Sequence, residues 1–233
     1  MDHPDERFLR PTSMIDSDHE RVRAFARDVT EGAEDDPVSQ AVRLYYAVRD
    51  GIRYTPYYPF YLPEHYRASR VLSVGQGYCV PKASLLCALG RACSIPTRVG
   101  FAHVRNHLST RQLLDTMGTD LFVYHGYTEF YLQGRWVKAT PAFNAELCHR
   151  HRVAPLEFNG REDSLFQPYN LNHHKFMDYV EYVGTFDDIP VERIVRAWEE
   201  AYGKERVRSW IAAFEKTGGL SPHRFEEEDV IQA

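Results

Sequence analysis

The stretch from Gly75 to Gly100 reads GQGYCVPKASLLCALGRACSIPTRVG, and His125 to Val137 reads HGYTEFYLQGRWV. In the first stretch, an Ala/Leu-rich segment begins at Cys79 and runs to Ala92 before Pro96 stops it, a pattern that predicts a helix. A thiol at a helix N-terminus lies at the positive end of the helix dipole, which favours the thiolate form. The sequence therefore predicts a reactive cysteine at a helix start.

Three segments around the two quoted stretches are rich in β-branched and aromatic residues, which are typical of strands. They are Thr97–Val104, Leu121–Leu132 and Arg135–Thr140. Gln133-Gly134 fits a tight turn between the last two. We expect the helix to pack on an antiparallel sheet made from these strands.

Amphipathic periodicity predicts further helices on both sides of this core. The first begins at a capping box, Ser17 with Glu20, and ends at Gly32. The others run from Asp36-Pro37 to Gly51, from Ser109 or Thr110 to Gly118, over Pro190–Tyr202 and over Lys204–Lys216. The order of elements predicts an α+β fold with extra N- and C-terminal helices.

The remaining segments are less regular. Ile52–Tyr66 holds three prolines among many aromatics, so we expect an ordered loop that mainly packs and partly lines a cleft. Cys148–Asp188 should be irregular with a strand or two, and 225–233 (FEEEDVIQA) should be a loose acidic tail. We expect one domain over 1–233, with a core of about 36–145 and a C-terminal extension over 146–233.

Composition narrows the class of protein. The 233 residues are 43% hydrophobic with a net charge of -5, which fits a globular chain and argues against nucleic acid as a partner. No secretory signal and no apolar run long enough to cross a bilayer stand out, so we expect a cytoplasmic protein without a membrane partner.

The four cysteines are predicted to be free thiols rather than a disulfide framework, and no C-x-x-C pair suggests a zinc site. Cys87, Cys93 and Cys148 are expected to be small buried hydrophobes. Cys79 differs from them because Gly75 and Gly77 allow a sharp turn that brings backbone N–H groups near a bound carbonyl.

The Cys79 N–H is therefore a candidate oxyanion donor. The side chain of Gln76 or the phenol of Tyr78 is a candidate second donor, and the sequence does not choose between them. Either residue would then contact the substrate, and Glu129 is a further candidate for substrate binding.

The two quoted stretches together resemble the core of the transglutaminase-like superfamily, and the resemblance extends over roughly Leu9–Asn144. That superfamily is papain-related, with a Cys at a helix start, a His on the next sheet and usually an Asp on the adjacent strand. The resemblance implies acyl transfer from an amide through a thioester at Cys79, with His125 as general base. We expect no cofactor and no metal.

The chain departs from the family pattern at the third member of the triad. The position that matches the usual Asp is Thr140, so no carboxylate there orients the imidazole and stabilises its cation. Three residues remain candidates for that role: Thr140 as a weak acceptor, Asn144 through its amide, and Glu129 because i and i+4 on a strand share a face.

Three functions compete. The first is a cysteine-dependent amide hydrolase or acyl transferase acting on a peptide or small amide, with hydrolysis favoured over crosslinking. The second is an inactive peptide-binding module, favoured by the replaced aspartate. The third, a metal-dependent hydrolase using His103 and His107 with His125 or the pair His173-His174, is disfavoured because i, i+4 ligand spacing needs a helix. The substrate, the acyl acceptor and the oligomeric state stay open.

Overall fold

A buried helix packed on an antiparallel sheet forms the centre of the fold. The computed structural model describes residues 4–217 and 225–228. Its helices are α1 (Glu20–Thr30), α2 (Pro37–Gly51), α3 (Ala68–Val74), α4 (Cys79–Ala92), α5 (Arg111–Met117), α6 (Ala145–Arg150), α7 (Val191–Tyr202) and α8 (Lys204–Thr217). Its strands are β1 (Arg53–Tyr54), β2 (Gln76–Gly77), β3 (Thr97–Asn106), β4 (Leu121–Leu132), β5 (Arg135–Ala139) and β6 (Met177–Phe186).

The main sheet has the strand order β5-β4-β3-β6, and each neighbouring pair is antiparallel. Thr128 pairs with Ala139 across β4 and β5, and the hairpin between them turns at Gln133 and Gly134. Both turn residues have positive φ, 50° and 82°, as a two-residue hairpin turn requires. The predicted antiparallel sheet and its hairpin are confirmed. Strands β1 and β2 form a separate parallel pair.

Helix α4 lies against one face of the sheet. The hydroxyl of Thr128 donates to the Ala83 carbonyl of α4 at 2.9 Å. At the other end of the helix, a Cβ on Gly90 would lie 2.5 Å from the Thr97 side chain and 2.8 Å from the Phe130 ring, so only glycine permits this approach. Since side chains alternate along β4, residues 126, 128 and 130 face α4, and His125 belongs to the opposite face.

Most predicted helices are confirmed, but the first begins differently. Helix α1 starts at Glu20 with His19 as its N-cap, whose Nδ1 accepts from the Arg21 N–H at 3.2 Å. The capping box at Ser17 was wrong, because Ser17 is buried and lies outside the helix. Helix α3 was not predicted, since a short helix leaves little periodicity to detect.

The C-terminal part of the chain completes the fold. Strand β6 adds to the edge of the sheet beside β3, and it is the strand expected within Cys148–Asp188. Helix α7 crosses β4, where Tyr202 accepts from the Val123 N–H at 2.9 Å and Trp198 donates to the Val123 carbonyl at 3.2 Å.

The predicted loose tail was wrong for residues 225–228, because Phe225 is buried and the segment forms hydrogen bonds to the body of the protein. Residues 229–233 of the predicted tail lie outside the described residues. Among the described helices, none is both long and apolar enough to cross a bilayer.

Candidate active site

Cys79 is the first residue of α4. Its N-cap, Tyr78, offers no side-chain bond to the helix start, so the first backbone N–H groups are available to other acceptors. Burial raises the pKa of the Cys79 thiol to about 11, while backbone hydrogen bonds from Gly126, Val80 and Cys79 itself act in the opposite direction. The sulfur therefore lies beside the backbone of β4 as well as at the helix start.

His125 precedes Gly126 in β4 and lines the same cavity as Cys79. Burial lowers the pKa of the His125 imidazole to about 4, and its Nε2 atom has no hydrogen-bond partner within the described part of the chain. The predicted cysteine and histidine therefore line one cavity, at the level where the helix start packs against the sheet. Their pKa values indicate a neutral thiol beside a neutral imidazole, not a preformed ion pair.

Thr140 follows β5 and shares the sheet face of His125, because its neighbour Ala139 pairs with Thr128 on the opposite face. The side chain is 1% exposed, and its Oγ1 has no hydrogen-bond partner of good geometry among residues 4–217 and 225–228. Burial raises the pKa of the nearby Tyr179 phenol, and the Thr140 hydroxyl acts in the opposite direction. Thr140 and His125 thus each present an unsatisfied buried atom on one sheet face.

Asn144 is directed away from this face, which contradicts its predicted role as orienter of the histidine. Its Oδ1 accepts from the Tyr54 N–H at 2.8 Å, and its Nδ2 donates to the Ile52 carbonyl at 2.9 Å and to the Arg49 carbonyl. The amide is therefore occupied by the backbone that joins α2 to β1. It does not belong to the residues that line the cavity.

Glu129 is likewise engaged elsewhere. Its carboxylate accepts from the Arg98 side chain at 2.6 Å, and the residue is 4% exposed. It shares the His125 face as predicted, but a buried carboxylate needs a charged partner and Arg98 supplies it. Glu129 does not line the cavity, so its predicted contact with the substrate is not supported.

The two candidate oxyanion donors differ in position. Gln76 accepts a hydrogen bond from Arg53 through its side-chain oxygen and lies outside the cavity lining. Tyr78 lines the cavity, but its hydroxyl is 2.5 Å from that of Tyr66, which in turn donates to the Phe60 carbonyl. Tyr78 must then be the donor to Tyr66, which leaves it no proton for an oxyanion.

Lys82 is a residue of this site that the sequence did not single out. It is fully buried in α4, and its Nζ donates to the Arg49 carbonyl at 2.9 Å and the Ile52 carbonyl at 2.7 Å. Burial lowers the pKa of Lys82 to about 7, and its charge favours the Cys79 thiolate. The available signal was a lysine in the first turn of a mostly apolar helix.

Two of the histidines considered as metal ligands, His103 and His107, have other partners. His103 accepts from the Tyr124 N–H at 3.2 Å, and His107 lies 2.9 Å from the Asp178 carboxylate. In the part of the chain that the structure describes, no group of three or more His, Cys, Asp or Glu residues could hold a metal ion. The geometry gives the metal hypothesis no support.

The cavity that holds Cys79 and His125 has a volume of about 320 Å³. Part of its wall comes from β1 and the loop after it, as expected, and includes Tyr54 and Phe60. Another part comes from α7, α8 and Phe225, so the C-terminal extension covers the site. Sequence patterns did not predict this cover, because it depends on contacts between distant segments.

Two solved structures are similar to this chain. The solved structure of a protein from Cytophaga hutchinsonii, provisionally described as a cysteine protease, superposes with a TM-score of 0.50 at 18% identity, over 81% of this chain and 48% of that one. The periplasmic domain of TgpA from Pseudomonas aeruginosa matches with a TM-score of 0.41 at 19% identity, over 60% of this chain and 48% of that one.

This chain thus spans about half the length of each of these solved chains. No protein with a curated description matches it. The family model of the transglutaminase-like superfamily matches residues 23–141, which is about half of the chain and includes both Cys79 and His125. The chain therefore belongs to the transglutaminase-like superfamily.

Proposed function

We propose that this protein is a cysteine-dependent amide hydrolase or acyl transferase, with Cys79 as nucleophile and His125 as general base. One observation carries the proposal: Cys79 is the first residue of α4, the backbone of Gly126, the residue after His125, packs against this helix start, and the side chains of Cys79 and His125 line one cavity. The positive helix end and the adjacent imidazole are the two features that activate a thiol.

The reaction begins when the imidazole of His125 takes the thiol proton and the sulfur attacks the amide carbonyl carbon. The carbon–nitrogen bond then breaks, and the amine leaves with the proton that His125 returns. A thioester remains on Cys79. Water or a second amine, deprotonated by His125, attacks that thioester, and the sulfur leaves as thiol. The backbone N–H groups of Cys79 and Val80 at the helix start are the candidate oxyanion donors.

A second candidate function is an inactive binding module that keeps the fold. The replaced carboxylate favours it, because Thr140 cannot stabilise an imidazolium as an aspartate does. However, a neutral His125 is already the form that a general base needs. The absence of a carboxylate at Thr140 therefore argues against a preformed ion pair more than against catalysis.

Trapping of the acyl enzyme tests the proposal. The protein is mixed with a panel of acyl anilides, quenched in acid and analysed by intact-protein and peptide mass spectrometry. We expect an added acyl mass on Cys79 that Cys79→Ala and His125→Ala both abolish. Added amines that accelerate its loss would indicate transfer, and loss to water alone would indicate hydrolysis.

Cys148→Ala is the matched control, because Cys148 is a second thiol that lines the same cavity. Burial raises its pKa to about 12, and it lies in α6 rather than at the start of α4. The variant should keep full acylation. Acyl mass that appears on Cys148 as readily as on Cys79, or none on either with any anilide, would favour the binding module.

A further inference from the structure

We infer that the cavity beside Cys79 binds an uncharged, largely apolar group of the substrate, so that the preferred substrates are small amides with an aliphatic or aromatic acyl chain. This inference deepens the proposed function and rests on it for the role of Cys79. It follows from what lines the cavity, from what covers it and from two polar atoms within it.

The lining excludes charge. None of the described residues that line the cavity is Asp, Glu, Lys or Arg. Moving a charged group into such surroundings without a partner is strongly unfavourable. A substrate side chain such as that of Asp, Glu, Lys or Arg is therefore a poor fit. An uncharged apolar chain has no such desolvation cost.

The walls favour an apolar chain of moderate size. Leu113 of α5 and Trp198 and Trp210 of the C-terminal helices contribute to them, together with Phe60 from the loop after β1. A volume of about 320 Å³ is at the lower end of the range of roughly 300–1,000 Å³ that holds small organic ligands. Burial of apolar area in such a cavity is the main source of affinity.

The C-terminal segment that covers the cavity, 225–228, is held by ring contacts and hydrogen bonds. Phe225 packs on Tyr54 and Tyr57 with ring centroids 5.5 and 6.3 Å apart. Nearby, both oxygens of the Glu228 carboxylate are bonded, one to the Tyr57 hydroxyl and one to the Thr110 hydroxyl, each at 2.6 Å. The cavity is thus preformed and walled on several sides, which favours a compact substrate over an extended peptide.

Two polar atoms in the lining indicate what else the substrate carries. Ser109 is 2% exposed, and both its Oγ and the Nε2 of His151 are buried without a hydrogen-bond partner in the described ranges. Burial lowers the pKa of His151 to about 4, so the ring is neutral. Unsatisfied buried groups of this kind are uncommon, and a neutral hydroxyl or amide on the substrate would satisfy them.

Binding to the Cys79→Ala variant tests the inference without any chemistry. Two of the three tryptophans, Trp198 and Trp210, line the cavity, so ligand binding should change the intrinsic fluorescence. Titrations with acetamide, butanamide, hexanamide and octanamide should give affinities that rise about threefold to fourfold per methylene until the cavity is full. An 8-hydroxyoctanamide should bind, and a chain ending in a carboxylate should bind at least 100-fold more weakly.

Leu113→Trp, made in the Cys79→Ala background, should fill part of the cavity. It should weaken the binding of octanamide at least tenfold and leave the affinity for acetamide unchanged. Gln112→Trp is the matched control, because Gln112 is the exposed neighbour of Leu113 on α5. Leu113→Ala should instead favour longer chains, which keeps the test valid if Leu113→Trp fails to fold.

Affinities that do not depend on chain length, or carboxylate-ended chains that bind as well as octanamide, would overturn the inference. The proposed function is judged separately, by acylation of wild-type Cys79. Graded binding without acylation would contradict the proposed function alone, and acylation without chain-length preference would contradict this inference alone.

Discussion

Gly126 in β4 packs its backbone against Val80 in α4, and a Cβ on Gly126 would lie 3.0 Å from the Val80 Cα. These two residues directly follow His125 and Cys79 in the chain. A close approach between the sheet and the helix start therefore lies next to Cys79 and His125, and a substitution that widens it should shift one of these residues relative to the other.

Gly126→Ala should accordingly impair activity as well as stability. The added methyl group would push the helix start away by a few tenths of an ångström, because the nearest atoms belong to backbone or to a β-branched side chain. We expect kcat/KM to fall about 10- to 100-fold and the free energy of unfolding to fall by about 1–3 kcal/mol. Acylation kinetics and urea unfolding measure the two effects.

Gly51→Ala is the control for that substitution. Gly51 ends α2, and a Cβ there would meet no atom within 4 Å. Its kcat/KM should equal that of the wild type, with stability changed by less than about 1 kcal/mol. If the two glycine variants behave alike, the contact between Gly126 and Val80 does not position the site.

Thr140→Val tests whether the threonine hydroxyl orients the imidazole. The unpartnered Oγ1 of Thr140 and Nε2 of His125 lie on one face of neighbouring strands. Loss of the hydroxyl should lower kcat about tenfold with little effect on KM, while stability should hold or rise because a buried unsatisfied group is removed. Thr140→Asp should raise the pKa of His125 and move the acidic limb of the pH–rate profile upward.

Thr128→Val serves as the comparison for Thr140→Val. Thr128 is equally buried but lies on the α4 face of the sheet, where its hydroxyl bonds to the Ala83 carbonyl. Its loss should lower stability by about 1 kcal/mol and leave the pH–rate profile in place. A Thr140→Val enzyme with wild-type kcat at every pH would show that the threonine hydroxyl has no positioning role.

Asn144→Ala should act on stability rather than on chemistry. The amide bonds to the backbone of Arg49, Ile52 and Tyr54, so its loss leaves several buried groups dependent on Lys82 or on water. We expect about 2–4 kcal/mol of destabilisation at roughly 1 kcal/mol per bond, with kcat within about threefold of wild type while the protein remains folded.

Asn172→Ala is the control, because Asn172 is exposed. It should change neither kcat nor the free energy of unfolding. A large loss of kcat in Asn144→Ala at unchanged stability would restore Asn144 as the orienter of His125.

Helices whose ends are marked by caps and glycines could be predicted from the sequence. Helix α2 begins at Pro37 behind the Asp36 cap and ends at Gly51 as predicted, and α5 runs from its Thr110 cap to Gly118, because caps and glycines act within a few residues. The roles of Asn144 and Glu129 could not be predicted in the same way. Their partners lie up to 95 residues away in the chain, and only the folded arrangement decides which acceptor or cation they meet.

The same limit applies to the cover of the site. The segment of Phe225 to Glu228 reads as a solvated acidic tail, since three consecutive glutamates usually face water. In the structure, one of these glutamates bonds to Tyr57 and Thr110. The sequence of the tail does not indicate that the hydroxyl groups of Tyr57 and Thr110 donate hydrogen bonds to it.

The stability of the protein should depend on pH through His125. Its folded pKa of about 4 lies below the value near 6.5 of an exposed histidine, so the unfolded chain binds more protons between these limits. Stability must then decrease as pH falls from about 6.5 towards about 4. The full effect is about 3 kcal/mol, which follows from about 1.4 kcal/mol for each unit of difference.

Urea unfolding of wild type and His125→Gln at several pH values from about 5 to about 6.5 measures this effect, because carboxylates titrate mostly below this range. The free energy of unfolding of wild type should lose about 1 kcal/mol more per pH unit than that of the variant. His151→Gln should show a similar difference, because burial also lowers the pKa of His151 to about 4. Parallel curves for wild type and His125→Gln would mean that the imidazole is solvated and charged in the folded protein, and a neutral general base at His125 would then be ruled out at acidic pH.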